Sequence, residues 1–308
     1  MTLTLRQNKR SSTLPTIRRR KLTAFEFVNL VVLFAIVAAC IYPFVYILAV
    51  SLSDGTAVNA GKVALIPEGF NLETYKYVLT NERLGILRSL LNSLLYTAVG
   101  VAFSVTITYL TAYPLSKARL GGAGAIVMLF LVTWVFDAGI VPTYVINSQL
   151  GFVNNWLAMV IPFGFSTFLL LIAITFLRNI PVELEESALI DGANDLQTMW
   201  RIYLPLSRPL LGTIGIFYAV QIWNAFLVPL IYLQEKTLAP IQLVLYRLLL
   251  NTDTNATSFQ QITMGGHQLV PQNIAAVTMI FAIVPILAFY PYAQRYFQQG
   301  ILVGAIKG

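Results

Sequence analysis

The sequence predicts an all-α integral membrane protein with six transmembrane helices, and three observations carry that prediction. Apolar residues make up 57% of the 308, they gather in long blocks, and only 11% of the chain is charged, where an average soluble domain carries about 25%. Six of the blocks approach the roughly 20 helical residues that cross a bilayer core of about 30 Å. The basic residues cluster unevenly around the ends of those blocks, as they do when one side of a membrane retains positive flanks.

Taken in order, the chain opens with a basic arm, residues 1–22, holding seven of the twenty basic residues. The first apolar block, residues 27–51, is longer than the ~7–15 residues of a signal-peptide core and has no small-residue cleavage pattern after it, so it reads as a retained span. It contains the single cysteine, Cys40, which rules out an internal disulfide or a cysteine-built metal site. A polar loop, residues 52–88, leads to spans at 89–115, 124–146, 155–177, 210–233 and 274–292. A seventh apolar stretch, residues 241–250, is too short to span and carries Arg247, so it reads as an interfacial or re-entrant helix in a large loop, 234–273. Residues 23–308 thus form one six-helix transmembrane domain.

Six crossings put both termini on the same side. Fourteen basic residues fall in the segments then assigned inside and six in those outside, which places both termini in the cytoplasm of a multi-pass plasma-membrane protein. The net charge of +7 therefore belongs to membrane topology, and nucleic acid is not an expected partner.

The inner loop 178–209 is patterned. Pro181 and Glu183, Glu185 and Glu186 suit the first turn of a helix, where acidic groups meet the positive end of the dipole. Leu184, Ala188 and Ile190 give it a mixed face, Gly192 permits a tight turn or a close backbone approach, Asp195 can cap a second helix with Met199, Ile202 and Tyr203 as its apolar positions, and Pro205 is expected to end it. A helical hairpin without catalytic residues suits either docking to a partner or a linker packed on the chain's own spans.

The same residues resemble the EAA signature of ABC-importer permeases: Glu186, Ser187 and Ala188, three residues, Gly192, nine residues, then Ile202, Tyr203, Leu204 and Pro205. Every spacing agrees, and Ser187 replaces an alanine with another small residue. Asn92-Ser93, the run from Ala112 to Arg119, the run from Gln221 to Leu230, and the tail from Gln294 are similar to the carbohydrate-uptake branch, in its maltose-type second membrane subunit. The resemblance implies the type I ABC importer permease fold and a bacterial sugar or oligosaccharide importer. It implies that Glu186, Ser187, Ala188 and Gly192 contact a cytoplasmic ATPase dimer while Ile202, Leu204 and Pro205 brace the loop. It further implies a second permease subunit, an extracytoplasmic solute-binding protein, and ATP with Mg²⁺ bound on the ATPase instead of this chain.

Polar groups within the spans are expected to face protein or water, because burying a charge in a bilayer costs at least about 2.5–3.5 kcal/mol. Asp137 in the third span either sits solvated at the outer interface or lines the pathway. Gln221, Trp223 and Asn224 in the fifth span combine amides with an aromatic, a set suited to sugars or to helix–helix hydrogen bonds. His267 is the lone histidine. The nearest approach to a phosphate loop, Gly55 to Val63, has one residue too many and lacks the Ser/Thr. No metal or triad arrangement appears. An ion-gradient transporter, or an ABC permease for a non-sugar solute, is the alternative.

Overall fold

The computed structural model describes residues 23–117, 119–254 and 262–305, in two compact units, residues 1–45 and 46–308. The expectations for the basic arm, for Ala118 and for residues 306–308 lie outside the described residues. In the first unit, helix α1 (Ala24–Ser51) begins with a reciprocal cap: the Glu26 N–H donates to Thr23 Oγ1 (3.3 Å) and the Thr23 N–H donates to Glu26 Oε2 (2.8 Å). From Phe27 to Phe44 the helix is apolar and exposed on every side, which in water would be untenable and in lipid is ordinary.

The second unit holds the end of α1, then α2 (Gly55–Asn59), α3 (Glu73–Thr80), α4 (Ile86–Ser116), α5 (Ala123–Val135), α6 (Ile140–Gln149), α7 (Thr167–Arg178), α8 (Val182–Ile190), α9 (Asp195–Thr198), a π-helical turn at Met199–Tyr203, α10 (Leu204–Leu206), α11 (Arg208–Trp223), α12 (Leu227–Tyr232), α13 (Ile241–Thr254), a two-stranded hairpin and α14 (Pro271–Ala305). In the hairpin, β1 (Ile262–Met264) pairs antiparallel with β2 (His267–Leu269), Met264 opposite His267. Its two-residue turn is Gly265-Gly266, both at positive φ, the combination that matches strand twist at least strain.

Helix α4 is the spine. Its buried side carries Ser89, Ser93, Gly100, Ser104, Thr108 and Ala112, small residues that let neighbouring backbones approach where lipid supplies no hydrophobic drive. A Cβ on Gly100 would stand 2.6 Å from Ile222 Cδ1, so the absent side chain leaves room for Ile222 of α11 against α4. The same face ties its neighbours by polar bonds: Thr108 Oγ1 and the Tyr218 hydroxyl are 2.7 Å apart, the Ser166 N–H donates to Tyr218 Oη (3.1 Å), and the Ile241 N–H donates to Ser93 Oγ (2.8 Å). Around the other end of α4, Tyr109, Ala112 and Leu115 share a core with Leu170, Ala173 and Leu177 of α7, Met199 and Tyr203 of the π turn, and Ile214 of α11.

Three spans are single helices long and apolar enough to cross alone: α1, α4 and the first part of α14. With each sharply bent helix pair counted as one span, the described residues hold up to five, and the third, fourth and fifth apolar blocks, which the sequence predicts as continuous, are segmented. In the third, α5 and α6 meet at 112°. Asp137 Oδ1 accepts the Gly139 N–H (2.6 Å), and Gly139 takes φ +82°, so side chain and glycine together turn the chain out of helix. The fourth is a short 3₁₀ turn, Trp156–Met159, followed by α7, whose N-cap Ser166 accepts the Leu169 N–H (3.5 Å). The fifth breaks between α11 and α12, which sets Pro229 in the first turn of a new helix, where its missing N–H leaves nothing unpaired. The stretch 241–250 is helical as expected and extends to Thr254.

Candidate functional site

The loop 178–209 folds as the predicted hairpin, and its tip is closed by backbone bonds. The Gly192 N–H donates to the Leu189 carbonyl (3.0 Å) and the Ala193 N–H to the Ala188 carbonyl (2.9 Å), with Gly192 at φ +81°. This pair of bonds is the Schellman ending of a helix, which requires the left-handed conformation at that position. Among the described residues, and apart from its own chain neighbours, no atom lies within 4 Å of where a Gly192 Cβ would be, so the glycine serves the turn and not a close packing contact.

Two details correct the sequence reading. The N-cap of the second helix is Asn194, one residue before Asp195: Asn194 Oδ1 accepts the Gln197 N–H (2.8 Å) and Gln197 Oε1 accepts the Asn194 N–H (3.0 Å), a full capping box. Pro205 does not end the helix either. The π turn Met199–Tyr203 widens the ladder just ahead of it, so Pro205 enters where its absent N–H and bulky ring are tolerated, and the chain runs on through Leu206 into α11.

The hairpin is amphipathic with an unexpected polarity. On α8 the buried residues are Glu185, 7% exposed, and Ala188, while Leu184, Leu189 and Ile190 face outward, Ile190 at 86% exposure. Leu196 and Trp200 continue this exposed apolar edge. The buried carboxylate is held by three groups. Lys117 Nζ lies 2.5 Å from Glu185 Oε2, Arg119 Nη2 lies 3.0 Å from Oε1, and the Tyr203 hydroxyl donates to Oε2 (2.9 Å). Lys117 Nζ also stands 3.4 Å from the Tyr203 ring centroid, a cation–π contact. Arg119 pairs in addition with Asp195. Burial alone would raise the Glu185 carboxyl. The hydrogen bonds from Lys117 and Tyr203 and the charge of Arg119 outweigh it and hold the group below the ordinary carboxylate range, so it is ionised at neutral pH.

The residues singled out in the sequence fall as follows. Glu186 is exposed. Ser187 is exposed and donates back to the Glu183 carbonyl (2.7 Å), and Ala188 is buried. Ile202 and Leu204 are partly buried against the core around α4 and α7, and Pro205 is exposed. Glu185, Lys117 and Tyr203 form the tightest cluster of the loop, yet the sequence pattern does not single them out as a set.

A second feature is a groove of about 680 Å³ between α4, α11 and α14, within the size range of small-molecule sites. Trp223 and Asn224 line it together with Thr97, Thr106 and Phe289. Thr97 Oγ1 is buried there without a protein partner. Trp223 is buried and donates through Nε1 to the Ala282 carbonyl (3.2 Å), and Asn224 Nδ2 donates to the Val220 carbonyl (2.8 Å). Gln221 is exposed, and neither it nor Asp137 lines the groove. His267 Nδ1 lies 2.9 Å from Asp54 Oδ2, joining the two long loops at the opposite end of α4 from the hairpin. Among the described residues there is no cluster able to hold a metal.

Comparison with known proteins adds to this geometry. The family described as binding-protein-dependent transport system inner membrane component matches residues 81–303. The chain is 36% identical to Protein LplC of Bacillus subtilis over 92% of this chain and 95% of that one. It is 35% identical to the polygalacturonan/rhamnogalacturonan transport system permease protein YtcP of the same organism, over 87% of this chain and 93% of the relative. A crystal structure of a bacterial ABC transporter involved in the import of the acidic polysaccharide alginate includes a chain that superposes with a TM-score of 0.82 at 30% identity, covering 89% of this chain and 96% of the other.

Proposed function

The chain belongs to the binding-protein-dependent transport system inner membrane components, as a membrane-embedded ABC permease subunit, and on that premise we propose that it imports a sugar or oligosaccharide with energy delivered through the hairpin 178–209. The observation that carries the reading is the exposed apolar edge of that hairpin. Leu189, Ile190, Leu196 and Trp200 lie outside the apolar blocks and uncovered, and exposed apolar surface on an extramembrane element marks a surface that another protein covers.

In this reading a cytoplasmic ATPase dimer, which binds ATP and Mg²⁺, seats against Glu186, Ser187 and the Gly192 turn. Ala188 packs inward, and Ile202, Leu204 and Pro205 pass the motion to α11. Both termini are cytoplasmic. A second permease subunit completes the pathway, with Trp223 and Asn224 on its wall and Gln221 beside it, and Asp137 contributes a bend in place of a ligand. A solute-binding protein delivers substrate to the face joined by Asp54 and His267. The names of the relatives, polygalacturonan, rhamnogalacturonan and alginate, support fragments of polyuronides as the substrates to try first.

The assembled complex in proteoliposomes, offered labelled oligogalacturonides and alginate oligosaccharides, tests this. Uptake is expected to need ATP, to stop with vanadate and to ignore collapse of proton and sodium gradients. Uptake driven by an ion gradient through this chain alone would overturn it.

A further inference from the structure

Between the hairpin and α4 lies a set of contacts that docking does not require. Lys117 and Arg119 stand one and three residues beyond Ser116, the last residue of α4, and both reach Glu185 of α8. Arg119 reaches Asp195 as well, and the Tyr113 hydroxyl donates to the Asp195 carbonyl (3.3 Å). The Tyr109 hydroxyl donates to the Met199 carbonyl (2.9 Å), and Arg178 donates to the Leu115 carbonyl (3.2 Å). Entry, body and exit of the hairpin are each tied to α4, while covalently the hairpin runs only from α7 into α11.

Resting on the proposed ATPase docking, we infer that Glu185 is a positioning residue that locks the hairpin to the end of α4, so that hairpin displacement moves the second span together with the fifth. A buried carboxylate bonded at both oxygens, to a lysine, an arginine and a tyrosine, is a stiff joint: pulling the hairpin from α4 would separate the buried Glu185–Lys117 pair and leave each charge without its partner. The alternative, that the cluster only helps the loop fold, predicts that its loss affects both spans alike or neither.

The test uses the assembled complex with Cys40 replaced by serine and a reporter cysteine at Thr106→Cys on α4 or Val220→Cys on α11, both exposed on the groove. The rate of labelling by a membrane-impermeant maleimide is compared with and without ATP and vanadate. In Glu185→Gln, the nucleotide-dependent change at position 106 is expected to be lost while that at 220 persists and the ATPase still co-purifies and hydrolyses ATP. Tyr203→Phe, which removes one bond and leaves the ring over Lys117, is expected to reduce the change at 106 only, and it serves alone if Glu185→Gln fails to assemble. An undiminished change at 106, or equal losses at both positions, overturns the inference. Failure of the wild-type chain to capture an ATPase would instead sink the docking premise.

Discussion

Gly192 and Ile190 stand at the tip of the hairpin for different reasons, and substitution can separate them. Any side chain at Gly192 incurs the left-handed penalty of about 1–2 kcal/mol, and among the described residues its Cβ opens onto free space. Gly192→Ala and Gly192→Phe should therefore cost similar stability in the isolated subunit. If an ATPase covers the open side, the phenylalanine variant alone loses ATP-coupled uptake while inserting normally in the membrane. Normal uptake by Gly192→Phe would count against docking there. The turn glycine and the EAA spacing were legible because they are local chemistry. Glu185 was not: among Glu183, Glu185 and Glu186, nothing local distinguishes the one whose lysine partner lies 68 residues earlier. A pattern reading also assumes that apolar residues point inward, whereas Leu189 and Ile190 point outward.

At the scale of elements, apolar block length finds where the apolar segments lie but not whether each is one helix: six blocks are predicted, and the described residues hold three single spanning helices, or up to five spans with bent pairs. The breaks come from single features within the blocks: the Asp137–Gly139 turn, the 3₁₀ turn ahead of Ser166 and the proline at 229. Hydropathy is blind to these because each broken piece remains apolar. The helix through Pro205 is the converse case, where the usual breaker is absorbed by a π turn. Helix packing gives a direct check. Gly100→Leu forces a branched side chain into the space taken by Ile222, and overpacking of this kind costs about 1–3 kcal/mol. The variant should melt several degrees lower in detergent, whereas Gly124→Leu, where nothing lies near, should not. Equal melting of the two would show that α4 and α11 do not approach as described.

For the whole molecule, the division of labour is spatial. One end of α4 holds the loops joined by Asp54 and His267, the other holds the hairpin, and the groove against α11 and α14 runs between. The family signature was readable from residue order. The groove was not, because it is assembled from helices far apart in sequence. The measurement that bears most directly on the account is capture of an ATP-hydrolysing subunit by the purified chain with Ile190 intact and with Ile190→Glu, which sets a charge on the most exposed apolar residue of the hairpin without touching its core. The account predicts that the wild-type chain retains the ATPase through purification and that Ile190→Glu loses it while still reaching the membrane. Equal retention by both would contradict it.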